Sequence, residues 1–222
     1  HNPVEYNGIK TLLDNGLAPS KDKAEQIKQI YEGKDIDYCD SVNCGKITAN
    51  SRTEDIHIEK VLSIVPDKKA IRDKNIKVVL DSVNGAGGEA GIRLLEALGC
   101  EVHAINAEPS GLFAHTPEPV KENLAGLSEE VIKQKADIGF AQDPDADRLA
   151  IVDQTGRYIG EEYTLALCAE YVYRHFSGPA AANLSTSRMI DDIASKAGEK
   201  VIRTPVGEAN VSLAMKENNC VI

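Results

Sequence analysis

The thirty residues Ile76–Ile105, IKVVLDSVNGAGGEAGIRLLEALGCEVHAI, decide the fold. Ile76 to Leu80 is a β-branched apolar run, the composition of a buried strand. Asp81 to Gly88 (DSVNGAGG) is a Gly-rich loop. Glu89 to Leu98 carries Ile92, Leu95 and Leu98 on one helical face, with Gly99 just past its end, where a left-handed residue closes a helix. Glu101 to Ile105 is a second strand. Strand, helix and strand within about thirty residues make a parallel βαβ unit.

Working outward, the pattern continues. Leu127 to Lys135 reads as a helix, and Ile138 to Ala141 and Leu149 to Val152 as strands. Upstream, Ile9 to Leu13 reads as a short strand, and Ser20 as the cap of a helix closed by Gly33. Lys34 to Arg52 reads as loop, and a helix runs from Thr53 toward Pro66. Downstream, Glu161 to Phe176, Ser187 to Lys196 and Val211 to Lys216 read as helices. They alternate with strands at Ala181 to Leu184 and Lys200 to Arg203, and NNCVI at 218–222 reads as a strand cut short. The expected fold class is α/β: successive three-layer α/β domains with mixed, largely parallel sheets, in a chain truncated at both ends. The expected division is 1–52, the end of one domain; 53–160, a whole domain; and 161–222, the start of a third.

The 222 residues are 42% hydrophobic and carry a net charge of −10. That balance argues against a general nucleic-acid binder, which is more often basic, and fits a cytoplasmic protein. No segment approaches the ~20 consecutive apolar residues of a membrane span. The five cysteines, Cys39, Cys44, Cys100, Cys168 and Cys220, are odd in number and form no CxxC pair. They read as reduced thiols.

The chemistry concentrates in AQDPDADRLAIVD, Ala141 to Asp153. Asp143, Asp145 and Asp147 alternate on a loop between two apolar strands. Alternating carboxylates can converge on one hard cation, Mg2+ or Ca2+. An EF-hand is excluded, because its sixth position requires Gly and its twelfth usually Glu, whereas Arg148 and Gln154 stand there. An aspartate-nucleophile phosphatase fits poorly, since Asp145-Ala146-Asp147-Arg148 lacks the Thr or Val expected after the second aspartate. Arg148 either pairs with its own aspartates or grips a phosphate shared with the metal, which would explain a guanidinium so near a cation site. A rival signal is Gly85-Ala86-Gly87 with Ala90, which fits the dinucleotide fingerprint of a nucleotide-binding oxidoreductase. The fingerprint also needs an acidic residue at the end of the second strand, where Asn106 stands, with Glu108 slightly late. A third reading is a non-catalytic module that binds metal and sugar phosphate. His115 and Glu118, in the proline-braced FAHTPEP, read as structural.

HNPVEYNGIK, VVLDSVNGAGG, FAHTPEPVKENL, ADIGFAQDPDADRLAIVD and RTPVGEANV, in this order, resemble the motifs of the α-D-phosphohexomutases, nearest the phosphoglucosamine and phosphomannose mutase branches. The resemblance implies a four-domain α/β enzyme that interconverts hexose 6-phosphate and hexose 1-phosphate. An enzyme phosphoserine and a bisphosphorylated sugar carry the transfer, and glucosamine phosphate is the first-choice substrate. It implies Asp143, Asp145 and Asp147 as Mg2+ ligands, Arg148 as a phosphate contact, and His1 and Lys10 in the active-site loop, with Lys10 moving a proton. Gly207 and Glu208 match a sugar-contacting loop, although some members carry His or Asp where Glu208 stands. It further implies that the serine precedes His1, that a sugar-binding loop follows Ile222, and that this fragment alone does not turn over substrate.

Overall fold

The computed structural model describes residues 8–34 and 36–222. His1 lies outside the described residues. The chain divides into two compact units, one of residues 51–168 and one that gathers the described residues up to 50 with 169–222.

The first helix, α1, spans Lys21–Gly33 and buries no residue. Ser20 occupies its N-cap position, but the side chain makes no capping hydrogen bond. The expected strand at Ile9–Leu13 does not form. Leu13 N–H bonds to Leu17 O across a turn, and among the described residues no strand pairs with the run as a ladder requires.

The unit of residues 51–168 holds α2 (Thr53–Ile64), α3 (Lys68–Arg72), β1 (Lys77–Asp81), α4 (Gly88–Ala97), β2 (Glu101–Ile105), α5 (Ala125–Gln134), β3 (Ile138–Gln142) and β4 (Leu149–Asp153). The sheet order is β2-β1-β3-β4. β1 pairs parallel with both β2 and β3, while β4 returns antiparallel along β3. Alternation along β1 assigns the two faces. Val79 joins Leu124, Leu127, Val131, Ala141, Ala150 and Val152 under α5. Its neighbour Leu80 points the other way, against Gly91 of α4. Leu124, Leu127 and Val131 recur at helical spacing, so one stripe of α5 covers the sheet. Gly139 in β3 leaves the space that Val131 and Leu127 fill. Each fully buried Val or Leu contributes roughly 1.5–3 kcal/mol. This layering of helix, sheet and helix matches the expected fold class.

Because α4 leads from β1 to β2 and α5 from β2 to β3, on opposite faces, the strand order reverses between β1 and β3. In open α/β sheets the crevice beyond the strand ends at such a point is where ligands bind.

The last helix begun in this unit is α6 (Glu161–Tyr173). The second unit holds β5 (Ala180–Asn183), α7 (Met189–Lys196), β6 (Val201–Thr204) and α8 (Glu208–Asn218), with β5 and β6 parallel. Ala169, Ala180, Ala182 and Ile190 form its core, with Tyr173, Ile193, Val201 and Ile222 packed against them. Val221 N–H donates to Pro179 O, and Ala181 N–H to Ile222 O. The apolar residues Val221 and Ile222 therefore lie along β5. Arg203 donates to the carbonyls of Asn183, Thr186 and Ser187 and pairs with Asp191, pinning the loop after β5. Among the described residues, no helix is long and apolar enough to cross a membrane.

Candidate functional site

The aspartate loop, residues 143–148, joins β3 to β4 at the reversal point. The antiparallel pairing of Gln142 with Leu149 closes its base. One carboxylate oxygen from each of Asp143, Asp145 and Asp147 can be chosen so that all three lie within 4.8 Å of one another. Asp143 is fully buried, and the other two are exposed. Burial pushes the Asp143 carboxyl up, and the charges of Asp147 and Asp145 add to this. The Arg148 N–H, donating to Asp143 Oδ1 at 3.1 Å, works against them. A buried carboxylate with two like charges beside it is costly unless a cation shares the site. An all-oxygen carboxylate set suits Mg2+ or Ca2+, so the donors present fit the expected ion. Ala146, at φ +57°, bends the loop so that the alternate aspartates converge.

Arg148 is half exposed, and its Nε lies 4.0 Å from Asp143 Oδ2. That is the pairing with its own aspartates anticipated above. At the limit of ion-pair range and half in solvent, such a contact contributes ~0–1 kcal/mol.

The Gly-rich loop after β1 has a different task from the one its fingerprint suggests. Ala86 N–H donates to Pro144 O at 2.8 Å, and Ser82 Oγ to Gln142 Oε1 at 2.9 Å. A Cβ on Gly85 would stand 2.6 Å from Pro144 O, one on Gly87 2.5 Å from the Ala146 Cβ, and one on Gly88 2.6 Å from Ala107 O. Gly85 and Gly87 let the two loops touch, and Gly88 admits the backbone that follows β2. The space and the Ala86 donor that a dinucleotide would use go to the aspartate loop. The small residues were visible in the sequence, but the partner they make room for lies about sixty residues downstream.

Behind the loops sits an anchor of which sequence reasoning singled out His115, as structural, but not Asp81. Asp81, buried at the end of β1, accepts from Val83 N–H at 3.0 Å, Asn106 Nδ2 at 3.1 Å and His115 Nε2 at 3.0 Å. It thereby ties the exits of β1 and β2 to FAHTPEP. Val83, at φ +49°, is β-branched in the left-handed region, a strain that survives only where its surroundings hold it. The other His115 ring nitrogen faces Thr116 O at 2.9 Å. With an acceptor at each nitrogen, the cationic imidazolium satisfies both. The hydrogen bond to Asp81 raises the His115 pKa against burial, which lowers it. Burial pushes the Asp81 carboxyl up, but its bonds to His115, Val83 and Asn106 outweigh that and hold it below the usual range.

A pH dependence follows. The raised His115 contributes stability that is present below its unfolded pKa of about 6.5 and lost as pH rises through its folded value. The depressed Asp81 contributes stability present above its unfolded value of about 3.9 and lost as pH falls through its folded one. His115→Asn is expected to cost about 1.5 kcal/mol near pH 6 and to flatten the decline above about pH 6.5. Urea unfolding midpoints across pH measure both, and a parallel decline in the variant would contradict the assignment.

The remaining predicted residues belong to the other unit. Lys10 is exposed in the irregular segment before α1. Gly207, at φ +129°, is the N-cap of α8, and exposed Glu208 opens that helix, where its charge suits the dipole. The structure brings together the three aspartates and Arg148.

Family models of phosphoglucomutase/phosphomannomutase match along the chain: α/β/α domain I at residues 1–37, domain II at 55–156 and domain III at 160–222. A phosphoglucomutase/phosphomannomutase of Thermococcus kodakarensis is 41% identical over all of this chain and 49% of its own length. A probable phosphoglucosamine mutase of Methanopyrus kandleri is 35% identical over all of this chain and 48% of its own. The crystal structure of a phosphoglucomutase/phosphomannomutase family protein from Burkholderia thailandensis superposes with a TM-score of 0.76 at 25% identity, covering 92% of this chain and 43% of that one. The chain spans about half the length of the curated relatives it matches. Three consecutive domain models and a shared layered fold, with the aspartate loop inside the domain II match, carry the conclusion that this chain belongs to the α-D-phosphohexomutase family.

Proposed function

We propose that the protein containing this chain interconverts hexose 6-phosphate and hexose 1-phosphate, with glucosamine phosphate preferred, in the cytoplasm. The observation that carries the reading is the buried Asp143 with Asp145, Asp147 and Arg148 at the reversal point of the sheet. Family membership selects phosphoryl transfer among the reactions such a site could serve. In this reading residues 1–52, 53–160 and 161–222 are parts of three successive domains.

Asp143, Asp145 and Asp147 would hold Mg2+, which when bound neutralises charge on the phosphoryl oxygens. Arg148 grips another oxygen of the same group through its fork of donors. The transfer passes through a phosphoserine that the resemblance places just before His1. Lys10 takes the proton of the attacking hydroxyl and returns it to the leaving one, because an alcohol is a poor nucleophile and a poor leaving group unaided, and His1 is assigned to the same active-site loop by the resemblance. Glu208, presented by the Gly207 turn, accepts from a sugar hydroxyl and so reads the sugar.

The test is a coupled assay on a chain extended to the length of its relatives, offered the 1-phosphates of glucosamine, mannose and glucose. The expected result is turnover with the highest kcat/KM for glucosamine 1-phosphate. No turnover of any of the three would overturn the mutase reading. Retained Mg2+ binding in that case would point to the non-catalytic module.

A further inference from the structure

The segment after α1 holds a pair of thiols that the spacing of cysteines concealed. Cys39 Sγ lies 3.9 Å from Cys44 Sγ, and both residues are exposed. A built turn separates them. Asp40 Oδ1 accepts from Val42 N–H at 3.1 Å, Asn43 N–H at 2.9 Å and Asn43 Nδ2 at 2.9 Å. Asn43 N–H also reaches Asp40 O, and Cys44 Sγ donates to the same carbonyl at 3.4 Å. Cys39 and Cys44 therefore flank a four-residue turn. A disulfide needs two sulfurs that can come together across such a turn, and the 3.9 Å between Cys39 Sγ and Cys44 Sγ is the distance that answers this. The sulfurs are in van der Waals contact, and side-chain rotation can bring them to bonding distance.

We propose that Cys39 and Cys44 form a reversible redox-modification site, cross-linked within the loop by exchange with a low-molecular-weight disulfide. One thiolate attacks a sulfur of the disulfide RSSR, forms a mixed disulfide and releases RS−. The second thiolate attacks the protein sulfur of that mixed disulfide, forms the Cys39–Cys44 bond and releases the second RS−. The two thiol protons end on two RSH molecules. Two electrons pass from the protein pair to RSSR, and excess RSH reverses the reaction. Short tethers give effective concentrations on the order of millimolar, so the second step outruns capture of the adduct by dilute external thiol. Burial pushes the thiols of Cys100 and Cys220 up, which lowers their thiolate fraction and their competition for RSSR.

The experiment equilibrates the 222-residue chain with oxidised and reduced glutathione in varied ratio, blocks free thiols with iodoacetamide, and maps peptides by mass. The expected product is a Cys39–Cys44 linked peptide, lighter than the dithiol by two hydrogens and restored by dithiothreitol. Cys44→Ser is expected to accumulate a glutathione adduct on Cys39 that the native chain does not. Asp40→Ala, which removes the turn's acceptor, is expected to lower cross-linking about tenfold at a fixed ratio, the loss of most of a millimolar-scale effective concentration. Linkage mapping to Cys100, Cys168 or Cys220, or a lasting adduct on the native pair, would overturn the site. Unchanged cross-linking in Asp40→Ala would show that the turn does not assemble it, and would overturn that part of the proposal.

Discussion

Gly85→Ala is expected to destabilise the chain by about 3 kcal/mol, at the upper end of the usual overpacking cost. It should also weaken divalent-cation binding at least ~10-fold, as loss of a supporting contact around a metal site commonly does. The new methyl would stand 2.6 Å from Pro144 O and 2.7 Å from Pro144 Cα. Both are backbone atoms, so no side chain can swing aside. Either the Gly-rich loop or the aspartate loop must move, and the Ala86 N–H bond to Pro144 O breaks with it. The aspartate loop is the softer of the two. Asp145 and Asp147 sit exposed on it, whereas Val83 and Asp81 lock the other from below. The control is Gly126→Ala in α5, where an added Cβ meets nothing within 4 Å. There the change should be neutral or stabilising by up to about 1 kcal/mol, the helix preference of Ala over Gly. Urea unfolding and Mg2+ titration calorimetry on both variants decide the matter. If Gly85→Ala behaves like Gly126→Ala, the loops do not support one another as described.

The contrast shows where sequence reading succeeds and where it stops. β1, α4 and β2 were legible because periodicity reports burial directly. Val78, Val79 and Leu80 are buried on both faces, and the apolar stripe of α4 repeats at helical spacing. The aspartate loop was legible because its three carboxylates repel unless something joins them. Periodicity does not name partners, however. Ile9 to Leu13 has a strand's composition and, among the described residues, no ladder to join. Gly85 and Gly87 match a dinucleotide turn, yet they make room for Pro144 and Ala146. Asp81 and His115 are 34 positions apart, and Cys39 and Cys44 meet only because Asp40 closes a turn between them. Each of these readings needed a contact that local pattern cannot supply.

The sharpest separation of function from stability is expected at Asp143. Asp143→Asn should lower Mg2+ affinity more than ~100-fold, since even residues that only support a metal ligand cost 10–100-fold. The folded apo chain should nevertheless be as stable as the native one, or more stable by up to ~1 kcal/mol. The amide oxygen can still accept from Arg148 N–H, so the 3.1 Å bond that shapes the loop survives. What disappears is a buried negative charge that burial and the neighbouring Asp147 and Asp145 all disfavour. Residues kept at a cost to the unliganded fold mark places selected for something other than stability. The native chain should recover that cost on binding, gaining about 2.7 kcal/mol when Mg2+ is held at a hundred times its dissociation constant. The variant at the same Mg2+ concentration should gain almost nothing. Asp145→Asn, at an exposed position, should lose Mg2+ affinity with little change in apo stability. Urea midpoints with and without Mg2+ for the three chains give the answer. Equal Mg2+-induced shifts in native and Asp143→Asn chains would remove Asp143 from the ligand set, and with it the physical case for a buried carboxylate at the reversal point of this sheet.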